Sequence, residues 1–214
     1  MTRLRITEIF YSLQGETRTM GLPTVFVRLT GCPLRCVYCD TEYAFTGGQY
    51  MSQQQIMTQV ESYQPRYVTV TGGEPLAQKE ACESLLATLC DQGYEVSLET
   101  SGAMDISAVD TRVIKVMDLK TPDSGEMTKN RWQNLNALQP HDQIKFVISS
   151  RKDYDWARMV MEQHGLAERC EVLMSPCHGT MDPTQLADRI VADNLPVRSQ
   201  LQLHKYLWQD APGH

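Results

Sequence analysis

The sequence predicts an α/β protein with a parallel sheet, because short β-branched or apolar runs alternate with amphipathic helical patterns along the chain. The runs fall at 24–30 (TVFVRLT), 67–71 (YVTVT), 95–99 (EVSLE), 113–118 (VIKVMD), 143–149 (QIKFVIS), 171–175 (EVLMS) and 197–203 (VRSQLQL). Each is closed by polar residues or by Gly or Pro, and each reads as a strand. Helical patterns cover 52–63, ending before Pro65, 78–92, closed by Gly93, and 154–164, closed by Gly165; another starts with Asp182 as N-cap and Pro183 at the first helical position. Strand followed by helix favours right-handed crossovers, and either an open doubly wound sheet or a full or partial β/α barrel satisfies the pattern. In both, ligands bind beyond the carboxyl ends of the strands. The third observation is what stands there: Thr30-Gly31-Cys32, Thr71-Gly72-Gly73-Glu74-Pro75, Glu99-Thr100-Ser101-Gly102, Asp118-Leu119-Lys120, Ser149-Ser150, Ser175-Pro176-Cys177-His178 and His204-Lys205. Gly, Glu, Ser and Thr repeated on one rim suit a polar cofactor.

With 214 residues, no low-complexity tract and no Pro/Gly-rich linker, residues 1–214 are expected to form one domain. Twenty Lys and Arg against 26 Asp and Glu give a net charge of −6 with no basic run, which argues against nucleic acid as a partner. Arg3, Arg5 and Glu8 interrupt the apolar residues at the start, and no stretch approaches the ~18 apolar residues of a membrane span. The expectation is a cytoplasmic, reducing setting, where clustered cysteines bind metal or do chemistry more often than they form disulfides.

Three of the seven cysteines, Cys32, Cys36 and Cys39, form C-x3-C-x2-C directly after the first of these runs. Buried structural thiols have no reason to cluster in this way. A structural zinc ion needs four tetrahedral ligands, yet the next cysteine is Cys82 and the first histidine His141. A 4Fe-4S cluster held by three thiolates leaves one iron open. A zinc-binding module remains the non-enzymatic alternative.

The segment Cys32-Pro33-Leu34-Arg35-Cys36-Val37-Tyr38-Cys39 resembles the signature of the radical S-adenosylmethionine (SAM) enzymes, in which an aromatic residue precedes the third cysteine. Gly72-Gly73-Glu74-Pro75, also at a strand end, resembles that superfamily's second motif. The resemblance implies a 4Fe-4S cluster whose open iron is chelated by the methionyl group of SAM. Reductive cleavage of the sulfonium then yields a 5′-deoxyadenosyl radical that abstracts hydrogen from the substrate, while the protein aligns the partners and excludes side reactions.

Further blocks narrow the likeness. Residues 6–16 (ITEIFYSLQGE), 25–33 (VFVRLTGCP), Cys39-Asp40-Thr41 and 202–206 (QLHKY) resemble the 7-carboxy-7-deazaguanine synthase family over essentially the whole chain. Membership implies a shortened, partial TIM-like β/α barrel and a homodimer supplied by an external electron donor such as a flavodoxin. It also implies conversion of 6-carboxy-5,6,7,8-tetrahydropterin to 7-carboxy-7-deazaguanine with loss of ammonia, on the route to queuosine. On that resemblance Leu13, Gln14, Gly15 and Glu16 line the pterin pocket, Thr71 faces the substrate, and His204 helps close the site. Arg28 shares a strand face with Phe26 and Thr30, where its guanidinium could pair with the substrate carboxylate. Thr41 supplies a hydroxyl to Mg²⁺, which usually keeps few protein ligands. Tyr38, Cys39 and Asp40 lie along the adenosine, Gly73 meets the methionyl group, Glu99 and Ser101 contact ribose or the methionyl group, and Asp118, Leu119 and Lys120 line the cofactor.

A polar turn at 14–16, a salt-bridged Arg28, a capping Thr41 and a structural His204 are the plainer alternatives. Asp118-Leu119-Lys120 departs from the Ser-Pro-Lys of some relatives and resembles the glycyl-radical activating enzymes, a competing assignment. Cys82 and Cys90, eight apart on one predicted helix, are expected to pack in the core, Met159 and Met161 in the core or a pocket, and Cys170 and Cys177 lack partners for a second cluster.

Overall fold

A computed structural model describes residues 3–209, 211 and 213. Nine strands form one sheet in the order β3-β1-β2-β4-β5-β6-β7-β8-β9, and the two ends of that order do not pair, so the barrel stays open. The strands are β1 (Arg3–Leu13), β2 (Pro23–Leu29), β3 (Gln49–Ser52), β4 (Tyr67–Gly72), β5 (Glu95–Thr100), β6 (Ile114–Asp118), β7 (Gln143–Ile148), β8 (Glu171–Pro176) and β9 (Arg198–Ser199). From β2 onward every neighbour is parallel.

The parallel reading fails at the start of the chain. β1 pairs antiparallel with both β2 and β3. The turn between β1 and β2 carries its own signal, since Gln14 N–H donates to Leu22 O and Gly21 N–H to Gln14 O, folding the chain back without a crossover helix.

The helices are α1 (Gln53–Ser62), α2 (Lys79–Asp91), α3 (Arg151–His164), α4 (Leu166–Arg169), α5 (Pro183–Ala192) and α6 (Leu203–Leu207). Their starts follow the sequence: Ser52 and Gln55 form a capping box at α1, and Asp182 accepts from Thr184 N–H at α5. Gly165 ends α3 at φ 57°, the left-handed region that glycine adopts without a Cβ penalty. No α-helix separates β5 from β6 or β6 from β7; three short 3-10 turns occupy the second connection. The predicted 197–203 strand shrinks to β9, and the chain turns into α6, so His204 is helical and not at a strand end.

The core lies between the sheet and its helices. Val25, Val27 and Leu29 of β2 pack with Val68 and Val70 of β4, with Leu85, Leu86 and Leu89 of α2 and with Ile144, Phe146 and Ile148 of β7. Alternate residues of the same strands face inward, so Phe26, Arg28, Thr71, Glu99, Val116, Asp118, Lys145 and Val147 line one cavity. Cys82 is buried in the core and Cys90 packs at its margin. Met161 is buried, whereas Met159 is 51% exposed, because it lies on the solvent side of α3. Among the described residues no helix is long and apolar enough to cross a membrane.

Candidate active site

A cavity of about 860 Å³ opens at the carboxyl ends of the parallel strands. Every site residue named from the sequence lines it except Leu119, whose side chain is fully buried while its N–H donates to Lys145 O. The structure thus brings together segments that are far apart in the chain: the 13–16 turn, β2, the cysteine loop, the ends of β4, β5 and β6, and α6.

Cys32, Cys36 and Cys39 are free, half-buried thiols on one wall. Burial raises the pKa of all three, for Cys36 to about 11, and Lys120 opposes the shift. Among the described residues no three His, Cys, Asp or Glu side chains are gathered closely enough for one metal ion. An iron-sulfur cluster asks something different, because each thiolate binds a separate iron and the sulfurs stand further apart than ligands of one ion. Gly73 meets the loop backbone: a Cβ there would lie 2.4 Å from Gly31 O and 2.8 Å from Cys32 Cβ. Only glycine lets the β4 end approach the cysteine loop so closely.

Buried polar atoms on the opposite side point to a polar ligand. Asp118 Oδ1 and Ser149 Oγ, both on cavity residues, have no hydrogen-bond partner among the described residues. Lys120 Nζ donates to Asp118 Oδ2 at 2.8 Å and stands 5.8 Å from the centre of the Tyr38 ring. Burial acts against the Lys120 charge, yet Asp118, Tyr38 and Cys36 together outweigh it and the pKa rises. Three clustered thiols, a side-chain-free strand end and unsatisfied polar atoms fit a three-cysteine 4Fe-4S cluster with bound SAM, while the cavity's other thiol, Cys177, is a buried residue just after β8 and outside the cysteine loop.

Glu74 secures that wall. Its buried carboxylate accepts from Leu76 N–H at 3.0 Å, Ser101 N–H at 2.7 Å, Ser101 Oγ at 2.5 Å and Thr100 Oγ1 at 2.9 Å, tying the end of β4 to the end of β5.

The other wall is charged. Arg28 Nε donates to Glu8 at 2.7 Å, and the guanidinium lies 5.7 Å from the Phe10 ring and 5.8 Å from the Tyr43 ring, fixed in position by all three. Phe26 joins Arg28 in the cavity, whereas Thr30 turns away to hydrogen-bond Thr7 at 2.7 Å. Gln14 Nε2 donates to Thr69 and to Glu99 Oε1, and Thr71 Oγ1 donates to Glu99 Oε2 at 3.0 Å. Glu99 therefore sits among residues expected to face the substrate. Burial and then Glu16 raise its pKa. Thr41 Oγ1 donates to Asp40 at 2.7 Å, placing two candidate Mg²⁺ oxygens side by side, and Thr41 caps no helix through its side chain. His204 packs on Gly15, where a Cβ would fall 2.3 Å from its Nδ1, and burial lowers its pKa.

Lys145 was not singled out by the sequence reading. It lines the cavity from the middle of β7 and pairs with Glu16. A lysine interrupting the apolar run QIKFVI was the available signal.

The Radical SAM superfamily model matches residues 26–118, from β2 through the cysteine loop to the end of β6. A 7-carboxy-7-deazaguanine synthase of Koribacter versatilis is 44% identical over 96% of this chain and 97% of its own. One of Chlorobaculum tepidum is 44% identical over 98% of this chain and 97% of its own. A crystal structure of QueE from Escherichia coli superposes with a TM-score of 0.77 at 22% identity, covering 94% of this chain and 95% of that one, a likeness of fold.

Proposed function

The chain belongs to the 7-carboxy-7-deazaguanine synthase family of radical SAM enzymes, and from that premise we propose that its cavity converts 6-carboxy-5,6,7,8-tetrahydropterin to 7-carboxy-7-deazaguanine with loss of ammonia. The observation that carries this reading is one cavity lined both by the three thiols and by the Arg28, Gln14 and Thr71 wall, so that cofactor and pterin carboxylate have separate seats within reach of each other.

When bound, the cluster and SAM supply the hydrogen-abstracting 5′-deoxyadenosyl radical. The chain's own residues bind and orient. Cys32, Cys36 and Cys39 hold the cluster, and their protons leave as it assembles. Gly73 offers its backbone to the methionyl group, Ser101 is positioned by Glu74 to accept a hydrogen bond from the same moiety, and Tyr38, Asp40, Asp118 and Lys120 surround the nucleoside. Arg28 presents its terminal nitrogens to the substrate carboxylate while Glu8 holds Nε. Leu13, Gln14, Gly15, Glu16, Thr71 and Glu99 form the pterin wall, with Thr41 and Asp40 offering oxygens to Mg²⁺. His204 and α6 cover the mouth and exclude water from the reacting centre.

The same reading treats residues 1–214 as one domain that works as a homodimer in the cytoplasm, reduced by a flavodoxin-type donor. Cluster-reconstituted protein should form the deazapurine acid from 6-carboxytetrahydropterin, SAM, Mg²⁺ and reductant under anaerobic conditions. Formation of 5′-deoxyadenosine without that product would overturn the substrate and keep the superfamily chemistry.

A further inference from the structure

We propose that Glu16 and Lys145 act as a specificity pair for the pyrimidine edge of the pterin, with Glu16 accepting from the 2-amino and N3–H groups and Lys145 donating to the 4-oxo oxygen. The inference rests on the pterin reading above and adds the determinant that recognises the ring's far end.

The argument begins with where the pair sits. Lys145 and Glu16 are each 12% exposed, on β7 and on the turn after β1, and both face the cavity. Taking two charges out of water costs several kcal/mol per ion, and a buried ion pair returns little net stability. Fold stability is therefore a weak account of it.

Hydrogen-bonding capacity separates this pair from its neighbours. Glu99 has both oxygens engaged, by Gln14 and by Thr71. Gln14 is engaged at both ends, since Nε2 donates to Thr69 and Glu99 while Oε1 accepts from Glu16 N–H. Asp118 keeps one oxygen free, Oδ1, but its Oδ2 is held by Lys120 at the end of β6, beside the Tyr38 ring of the cysteine loop and so on the cofactor wall. Glu16, by contrast, spends one side-chain oxygen on Lys145, and its Oε1 accepts nothing among the described residues. The Lys145 ammonium has three N–H groups and donates one to Glu16. The pair thus offers the cavity a carboxylate beside an ammonium. The 2-amino-4-oxo edge of a pterin presents donor, donor and acceptor in a row, which two carboxylate lone pairs and one ammonium N–H match.

Placement agrees with this chemistry. Arg28 lies on β2 and Lys145 on β7, with β4, β5 and β6 between them in the sheet. One cation serves the carboxylate end of an elongated ligand, and the other serves the opposite end.

The test titrates cluster-reconstituted, SAM-loaded protein with three unreactive fluorescent probes. They are 6-carboxypterin, 6-carboxylumazine, which carries a 2-oxo in place of the 2-amino group, and 2-aminopteridine-6-carboxylate, which lacks the 4-oxo group and with it the N3–H, so that it reports on Lys145 only through the change between wild type and the lysine variant. Wild type should prefer the pterin over the lumazine by about 10-fold or more, the scale on which a site built to hydrogen-bond a group rejects its analogue. Glu16→Gln should abolish or reverse that preference, because an amide can donate to the 2-oxo oxygen. Lys145→Met should weaken 6-carboxypterin about 10-fold and leave the probe without the 4-oxo group unchanged. Loss of packing alone would weaken all three probes together. If Lys145→Met does not fold, Glu16→Gln/Lys145→Met, which removes both charges, carries the same 4-oxo comparison. A Glu16→Gln protein that keeps the wild-type preference, or a lysine variant in which all probes move equally, overturns the proposal. Wild type that binds SAM but none of the probes instead overturns the pterin reading on which it stands.

Discussion

Replacing Glu74 by glutamine looks conservative and should not behave so. The two carboxylate oxygens each accept from a different backbone amide, Oε1 from Leu76 N–H at 3.0 Å and Oε2 from Ser101 N–H at 2.7 Å, at a side chain with no solvent exposure. A glutamine has one carbonyl oxygen, so its NH₂ must face one of those N–H groups, donor against donor. The hydroxyls of Thr100 and Ser101 can rotate to accept from the NH₂, but an amide N–H cannot. One buried amide is left unsatisfied, at about 1–3 kcal/mol. Glu74→Ala leaves both amides open, for roughly 2–6 kcal/mol. For a chain of this size a loss of ~2 kcal/mol lowers Tm by about 4–8 °C. Urea unfolding of the cluster-free variants, followed by circular dichroism at constant slope, measures the loss directly. A Glu74→Gln variant within about 0.5 kcal/mol of wild type would refute the reasoning. Weaker SAM binding should accompany the loss, since the same carboxylate holds Ser101.

Cys36→Ala should abolish cluster assembly, read as iron content and visible absorbance, whereas Cys82→Ala, deep in the core, should assemble a normal cluster; equal iron loss in both contradicts the three-thiol assignment. Gly15→Ala should displace the His204 ring, whose Nδ1 would lie 2.3 Å from the new Cβ. An off-rotamer histidine costs ~1 kcal/mol, so KM for the pterin should rise about 5-fold or more with little change in Tm, and an unchanged KM would count against closure by His204. Glu99 has a pKa raised above its ordinary 4.5 by burial and by Glu16, so between those values the folded chain binds more protons than the unfolded one. Stability from this group is present at low pH and is lost as pH rises through the raised value. Glu99→Gln should remove that component and flatten the decline in urea midpoint with rising pH, and parallel pH profiles for variant and wild type would argue against it.

Much of this site was legible in the chain because strand ends and cysteine spacing are local signals. Gly73 and Glu74 follow a β-branched run, and the thiols follow another, so their convergence needed only the rule that parallel strands present their carboxyl ends on one rim. Lys145 escaped because it lies mid-strand, where a single lysine in QIKFVI reads as an interruption until register shows which face it occupies. The antiparallel start also escaped. Its determinant is a turn that folds β1 onto β2, and the blocks around it were read as motif and not as strand. His204 was mislaid by one element type, since 197–203 has strand-like alternation but only Arg198–Ser199 finds a partner on β8. Tertiary pairing decided the rest of that run.

The turn after β1 also sets the order in which the molecule can be completed. Thr17 N–H donates to Gln200 across 183 residues, Arg18 N–H to Gln143 across 125, and Lys145 reaches Glu16 across 129. Contacts of that span recover their loop-closure entropy only after the intervening chain is already compact. During synthesis, β2 through β6 can pair with near neighbours as they emerge and Gln14 finds Thr69 and Glu99, but Glu16, Thr17 and Arg18 have nothing to close on until β7 and Gln200 are made. The Glu16–Lys145 end of the pterin wall is therefore a later product of folding than the Arg28, Thr71 and Glu99 end. A chain stopped short of Gln200 would lose the acceptor that holds Thr17 N–H, and with it α6 and His204 over the 13–16 turn.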